Sequence, residues 1–135
     1  MKQKKSVEDY LKVILVLSRQ KGVHGSDIAA MLKVSRPTVS VALKALEEEG
    51  YLYMDGMHEV HLTEKGKQIA EDTCERHDVF TQLLMGFGVD EETASADACE
   101  MEHRVSPESY EVLRSLVREG KEKDQSVSEN GSEKL

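Results

Sequence analysis

The sequence predicts a mainly α-helical protein with an N-terminal and a C-terminal part. Apolar residues recur at helical spacing in six segments, as they do on the buried faces of amphipathic helices. After the third segment, two short runs rich in β-forming residues flank an Asp-Gly pair, which is typical of a tight β-hairpin. We therefore expect three helices, a hairpin and three further helices, in that order.

The charge of the chain is divided between these two parts. Residues 1–46 hold nine Lys and Arg against three Asp and Glu, whereas residues 47–135 hold nine against twenty-three. The overall charge of −8 would disfavour binding to a polyanion. The basic N-terminal part by itself favours such binding, and the acidic part is suited either to dimerising and collecting cations or to being a solvated surface.

Cysteine usage and hydropathy point to a reducing cytoplasm. The chain has only two cysteines, which gives no disulfide framework. No apolar run approaches the roughly 18 residues of a membrane span, so we expect no membrane partner.

The first two helices lie in the basic part. Ser6 can cap the first helix while Asp9, three residues later, reaches back, and the helix is predicted to run to about Arg19. Ser26 is predicted to cap a short second helix over Asp27–Leu32.

The third helix is predicted over Arg36–Glu49. Ser35 is its expected cap, Pro37 fits its first turn because the missing N–H needs no partner there, and Gly50 ends it. Its outer face is expected to carry Arg36, Thr38, Ser40 and Lys44.

Two strands over 51–53 and 59–62 follow, on either side of the Asp-Gly turn. Helix, helix, tight turn, helix and hairpin is the order of a winged helix-turn-helix, in which the third helix fits the major groove of DNA. The predicted DNA-contacting residues are Ser35, Arg36, Pro37, Thr38, Ser40 and Lys44, with His58 on the wing. The alternatives are an interaction module without DNA function and, for His58 and His61, ordinary surface positions. These two histidines are three apart in a strand and therefore not a predicted metal pair.

The remaining helices are predicted over 64–85, 91–103 and 107–119, the first of them capped by Thr63. We thus expect a DNA-binding domain over 1–70, a helical metal-binding and dimerisation domain over 71–119, and a disordered tail over 120–135.

Three potential metal donors are aligned on the fifth predicted helix. Cys99, Glu102 and His103 lie at positions i, i+3 and i+4, so a thiolate, a carboxylate and an imidazole share one face and can hold a divalent cation. Such spacing also arises for structural reasons, and His77 on the apolar side of the fourth helix can equally be a core histidine.

The chain resembles the diphtheria-toxin-repressor family, including its manganese transport regulator branch, over residues 5–118. The resemblance rests on motifs in the first helix, in the recognition helix, after the wing and on the two rear helices. These are Ser6-Val7-Glu8-Asp9-Tyr10-Leu11, Val34-Ser35-Arg36-Pro37-Thr38-Val39-Ser40, Leu62-Thr63-Glu64-Lys65-Gly66, Arg76-His77 and Cys99-Glu100-Met101-Glu102-His103.

The resemblance implies a homodimer in which metal joins the first helix to the helices behind it. It makes Asp9, Cys99, Glu102 and His103 metal ligands, with His77 a further ligand or part of a second site. The SH3-like third domain of longer members is expected to be absent.

Some positions depart from both branches of the family. The iron branch typically has Met at position 9, and the manganese branch has carboxylates at positions 12 and 99, where this chain has Lys12 and Cys99. Because an ammonium neither ligates nor tolerates a nearby dication, we expect one metal per subunit. Thr81 and Ser95 stand where an ancillary site would need stronger ligands.

The expected function is a metal-dependent repressor of metal-ion homeostasis that binds palindromic double-stranded DNA as a homodimer. The expected cofactor is Mn²⁺ or Fe²⁺, with Co²⁺ or Zn²⁺ able to replace it in vitro, and no small-molecule substrate is expected. The alternatives are a winged-helix regulator controlled by an organic ligand or by cysteine oxidation, and a metalloenzyme. We expect no enzyme, because no separate nucleophile or general base accompanies the donors.

Overall fold

The computed structural model describes residues 5–129, and their side chains as far as residue 120. It divides into two compact units, Met1–Cys74 and Glu75–Leu135. The boundary between the units lies inside the fourth helix, after Cys74. The sequence analysis had placed it after residue 70. Because this helix is continuous, the local composition has no break at the boundary.

The first unit is a winged helix-turn-helix, as predicted. Its helices are α1 (Lys5–Ser18), α2 (Gly25–Leu32) and α3 (Arg36–Glu48), followed by strands β1 (Leu52–Met54) and β2 (Val60–Leu62) and by the first part of α4 (Glu64–Gly86). The strands are antiparallel, with Tyr53 opposite His61. The Val60 N–H also donates to the Val23 carbonyl at 2.8 Å, which fixes the segment before α2 beside the hairpin.

One apolar cluster holds the first unit together. It combines α1, α2, α3, the hairpin and the start of α4, through Leu11, Ile14, Leu15, Val23, Ile28, Ala29, Val39, Leu43, Leu46, Tyr51, Leu52, Val60 and Ala70. Burial of each large apolar side chain contributes about 1.5–3 kcal/mol. The cluster therefore gives α3 and the hairpin a rigid support.

The predicted cap of α3 is confirmed, and that of α2 is wrong. Ser35 Oγ accepts from the Thr38 N–H at 3.2 Å. In α2, however, the N-cap is His24, whose backbone is extended, and its N–H donates to Asp27 Oδ2 at 2.9 Å. Ser26 is the second residue of the helix, and Asp27 in the first turn accepts the N–H of the cap residue His24.

The wing turn is organised by Asp55. Its Oδ1 accepts from the Met57 N–H at 2.8 Å and the Glu59 N–H at 3.0 Å. The left-handed residue in this turn is His58, with φ of 61°, rather than Gly56. The Asp-Gly signal therefore predicted the hairpin, but the chain uses a longer turn than the two-residue one that the pair typically forms.

The second unit consists of the rest of α4 with α5 (Glu91–Met101) and α6 (Pro107–Glu129). Its core comprises Val79, Phe80, Ala98 and Tyr110. The Phe80 and Tyr110 rings meet edge to face at 5.9 Å, and the Arg76 guanidinium lies 4.7 Å from the Tyr110 ring centre. Burial, aided by the nearby Glu75 carboxylate, raises the pKa of Tyr110 to about 12.

Two predicted helix ends differ from the structure. Helix α5 ends at Met101 with Glu102 as its C-cap, rather than at His103. Helix α6 continues to Glu129 and so includes residues 120–129, which the sequence analysis assigned to a disordered tail. Lys, Glu and Gln favour a helix and no proline interrupts the run. Residues 130–135, the rest of the expected tail, lie outside the described residues.

Among residues 5–129, no helix is both long and apolar enough to cross a membrane.

Candidate functional site

The first unit brings four of the predicted DNA-contacting side chains to one cleft. Arg36, Ser40 and Lys44 of α3 line it together with His58 of the wing. The cleft has a volume of about 230 Å³. The cleft is thus formed by α3, the hairpin and the start of α2, and the lining contributed by α3 includes two cations.

The other predicted DNA contacts lie at the N-terminus of α3. Ser35, Pro37 and Thr38 are exposed. The Ser35 and Thr38 hydroxyls are 2.7 Å apart, in addition to the capping bond that Ser35 accepts. The N-terminus of a helix favours an anion such as phosphate because its N–H groups point outward.

Val41 is a surface feature that the sequence reasoning missed. Its side chain is 71 % exposed on α3, the helix that carries the predicted DNA contacts. It follows Pro37 by four residues and precedes Lys44 by three, so the three share the outer face of the helix. A helical wheel centred on the buried Val39 and Leu43 would have revealed it.

The second unit brings together three side chains that can bind metal. His77 projects from α4, Cys99 from α5, and Glu102 from the C-cap of α5. One donor atom of each lies within 4.8 Å of the others. His77 Nδ1 is 3.2 Å from Glu102 Oε2 and 3.7 Å from Cys99 Sγ.

Glu102 is the centre of this group. Its side chain is 1 % exposed, and its Oε1 lies 3.2 Å from His103 Nε2. Its carboxylate therefore has an imidazole near each oxygen. A buried carboxylate is unfavourable unless it is paired or bound to a cation.

The donor set fits a divalent transition metal. The His77 imidazole suits iron or zinc, the Glu102 carboxylate suits manganese, and the Cys99 thiol adds a softer ligand suited to iron, cobalt or zinc. The sequence predicted Cys99, Glu102 and His103 from helical spacing. Spacing alone could not place His77 beside them, because that contact joins two helices, and His77 was named through the resemblance as a further ligand or part of a second site.

The two weak ancillary positions have other roles in the structure. The Thr81 hydroxyl donates to the His77 carbonyl at 2.8 Å within α4. Ser95 Oγ lies 3.4 Å from His77 Nε2. Because Ser95 engages one ring nitrogen, the other nitrogen faces Cys99 and Glu102, as a hydrogen-bonded metal ligand requires.

Asp9 and Lys12 lie on α1 in the first unit. The ligand role of Asp9 stays a prediction based on the resemblance, as does the expectation of one metal that rests on Lys12.

A winged helix-turn-helix followed by a helical unit with clustered donors defines a metal-responsive DNA-binding class of protein. Residues 3–59 match the family model described as the iron dependent repressor N-terminal DNA binding domain. Residues 63–126 match the iron dependent repressor metal binding and dimerisation domain. The chain belongs to this family of iron and manganese regulators, as the resemblance indicated.

Two relatives illustrate the match. The chain is 38 % identical over 109 residues to transcriptional regulator MntR of Escherichia coli O6:H1, covering 80 % of this chain and 70 % of the relative. It is 35 % identical over 120 residues to the HTH-type transcriptional regulator MntR of Bacillus subtilis. This match covers 88 % of this chain and 84 % of the relative.

Solved structures agree with this assignment. The manganese regulator SloR superposes with a TM-score of 0.73 at 31 % identity, over 87 % of this chain and 55 % of that one. A manganese-dependent transcriptional repressor in complex with manganese superposes with a TM-score of 0.75 at 27 % sequence identity. The match covers 82 % of this chain and 52 % of that one. The chain thus spans about half the length of these structures.

Proposed function

We propose that the protein is a metal-dependent transcriptional repressor that binds palindromic operator DNA as a homodimer and controls metal-ion homeostasis. The observation that carries the proposal is the convergence of His77, Cys99 and Glu102 in a chain whose other unit is a winged helix-turn-helix. A regulator of this kind acts on DNA in the cytoplasm and is not an enzyme.

The DNA-binding role rests on the cleft between α3 and the wing. Arg36 and Lys44 supply positive charge for phosphates, while Ser40 and His58 add polar groups beside them. Val41, exposed on the same helix, is an apolar group able to contact a thymine methyl. Charge gives affinity here, and the outer face of α3 gives sequence preference.

The metal-binding role is assigned to His77, Cys99, Glu102 and His103, with Asp9 added by the resemblance. The solved relatives named for manganese support Mn²⁺, and the Cys99 thiol makes Fe²⁺ the other candidate. Co²⁺ and Zn²⁺ are expected to replace them in vitro. We propose that this site holds one cation rather than two, because Lys12 replaces a carboxylate.

Control of DNA binding follows from a shift in population. When bound, the cation supplies positive charge that stabilises the conformation competent for DNA. Glu102 contributes a carboxylate to the cation, and Ser95 keeps His77 oriented. A coupling of about 1–3 kcal/mol would raise operator affinity about 5- to 150-fold.

The proposal is tested by fluorescence anisotropy with a labelled palindromic duplex at fixed salt. Added Mn²⁺ or Fe²⁺, under anaerobic conditions, is expected to tighten binding, and Cys99→Ala to remove that response. The matched control is Cys74→Ala, which changes the other cysteine, a half-buried residue of the first unit. A wild-type affinity that does not respond to metal contradicts the proposal.

The DNA-binding surface has its own test in Arg36→Ala. With metal present, loss of one phosphate contact is expected to weaken binding uniformly across sequences and to lower the salt slope by about one. The measurement is the affinity at several salt concentrations. An unchanged slope would remove Arg36 from the interface.

One observation favours a second function, control by cysteine oxidation. Cys99 is exposed, and its Sγ lies 3.7 Å from a His77 ring nitrogen, a neighbour that can promote the reactive thiolate. If metal-free protein binds the duplex fully and an oxidant abolishes binding in wild type but not in Cys99→Ala, this function replaces the first. Control by an organic ligand would leave binding insensitive to both treatments.

A further inference from the structure

The wing carries another group of potential metal donors, separate in sequence and in fold unit from those assigned above. It consists of Asp55, Glu59 and His61, one donor atom of each lying within 4.8 Å of the others. All three belong to the first unit and surround the hairpin turn. We call them the wing cluster.

The wing cluster has the composition of a cation site. His61 Nε2 is 2.8 Å from Asp55 Oδ2 and 3.9 Å from Glu59 Oε2. One imidazole and two carboxylates form a donor set used for divalent transition metals. Each side chain is partly exposed, so water can fill the remaining coordination positions.

Two of the three donors are held in place before any cation binds. Asp55 Oδ1 accepts two backbone N–H groups of the turn, which directs Oδ2 towards His61. The His61 ring stacks on Tyr53, its cross-strand partner, with 5.0 Å between ring centres. This preorganisation lowers the entropy lost on binding.

The third donor occupies a space that a glycine provides. A Cβ at Gly22 would overlap the Glu59 carboxylate. The neighbouring Val23 carbonyl is bonded to the Val60 N–H at 2.8 Å, so this segment lies fixed against β2. The Glu59 carboxylate, the flexible end of its side chain, therefore lies beside a backbone position that has no Cβ.

We propose that Asp55, Glu59 and His61 bind a divalent transition-metal cation on the wing. The inference does not rest on the proposed second-unit site. It accounts for an otherwise unfavourable feature, since two carboxylates lie on the hairpin whose His58 lines the same cleft as Arg36 and Lys44. A bound dication cancels both negative charges and so removes their repulsion of DNA phosphates.

The test uses the full chain labelled with ¹⁵N and Mn²⁺ as the probe. A bound Mn²⁺ broadens the amide signals of nearby residues beyond detection. Substoichiometric Mn²⁺ is expected to remove the signals of residues 55–61. Glu59→Gln and His61→Phe are expected to retain those signals, His61→Phe because it keeps an aromatic ring against Tyr53 but no nitrogen.

The matched control is Glu64→Gln, which removes an exposed carboxylate of the same unit outside the wing cluster. It is expected to lose the signals of residues 55–61 as wild type does. The amide spectrum before Mn²⁺ is added verifies that each variant is folded. If His61→Phe does not fold, Glu59→Gln, at a partly exposed site, is enough to test the inference.

Two results would overturn the inference. One is a wild-type spectrum in which the signals of residues 55–61 stay sharp at excess Mn²⁺. The other is broadening of these signals in Glu59→Gln equal to that in wild type, since the ion would then be bound elsewhere. Broadening at residue 77 and at 99–103 reports the second-unit site separately, so either site can fail without the other.

Discussion

The two units differ in what they bury. Among the side chains that the structure describes, those of residues 5–120, the core cluster of the first unit contains thirteen buried apolar residues and that of the second contains four. Among the described side chains, the second unit buries a carboxylate and an imidazole next to each other, those of Glu102 and His103, whereas the charged side chain that the first unit buries is Glu8. A unit that reads DNA benefits from a rigid apolar support, while a unit that binds a cation must keep polar donors where burial disfavours them.

The largest expected effect comes from removing the main apolar support of the second unit. Phe80→Ala is expected to destabilise that unit by about 3–5 kcal/mol, because it leaves a cavity beside Tyr110. Hydrogen exchange should then accelerate at the amides of α5 and α6 more than at those of α1 to α3.

Phe87→Ala is the control for this variant, since the Phe87 side chain is 84 % exposed. It is expected to change stability by no more than about 0.5 kcal/mol. Equal protection loss in both units after Phe80→Ala would show that the two units unfold together, and would remove the contrast between them.

The next largest effect concerns the buried carboxylate. Glu102→Gln keeps the shape of the side chain but removes its charge, so the metal-induced gain in DNA affinity, about 5- to 150-fold, is expected to disappear. Anisotropy titrations with and without Mn²⁺ measure it. Glu108→Gln, an exposed acid of α6, should retain the full gain. A metal response that survives in Glu102→Gln would exclude Glu102 as a ligand.

A smaller effect on stability is expected at the two predicted helix caps, Ser35 of α3, which is confirmed, and Ser26 of α2, which is not. Ser35→Ala removes the acceptor for the Thr38 N–H and is expected to cost about 0.5–2 kcal/mol of stability. Ser26→Ala removes no cap and is expected to cost less than about 0.5 kcal/mol. Chemical denaturation of both variants decides this, and equal losses would contradict the assignment of His24 as the cap of α2.

The smallest effect is the pH dependence of the exposed wing. The hydrogen bond to His61, followed by those from the Glu59 and Met57 backbones, lowers the pKa of Asp55 below its ordinary value of 3.8. Because the folded pKa is the lower one, the stabilisation by Asp55 is present above about pH 3.8 and is lost as the pH falls through the folded value.

Carboxyl ¹³C shifts followed by NMR measure this pKa directly. In His61→Phe the pKa of Asp55 is expected to move up towards 3.8, since the largest cause of the shift is gone. An unchanged pKa would assign the shift to the backbone N–H groups alone. The hydrogen bond between Asp55 and His61 would then have no effect on the pKa of Asp55.

Local chemistry explains the elements that were predictable. Ser35 and Pro37 marked the start of α3, and the apolar spacing around Val39 and Leu43 marked its buried face. The less accurate predictions depended on competition between neighbours. Helix α2 begins before Ser26, with Asp27 accepting the N–H of the cap residue His24, and His58 rather than Gly56 is left-handed in the wing turn.

The sequence by itself determined the order of helices and hairpin, the presence of Arg36 and Lys44 on the third helix, and the alignment of Cys99 with Glu102, because each of these depends on residues close together in the chain. Only the tertiary structure decided that His77 faces Cys99 and Glu102, and that Glu59 lies over Gly22 beside His61. Those contacts join separate elements, and their geometry follows from core packing, which the spacing of residues along one helix or strand does not specify.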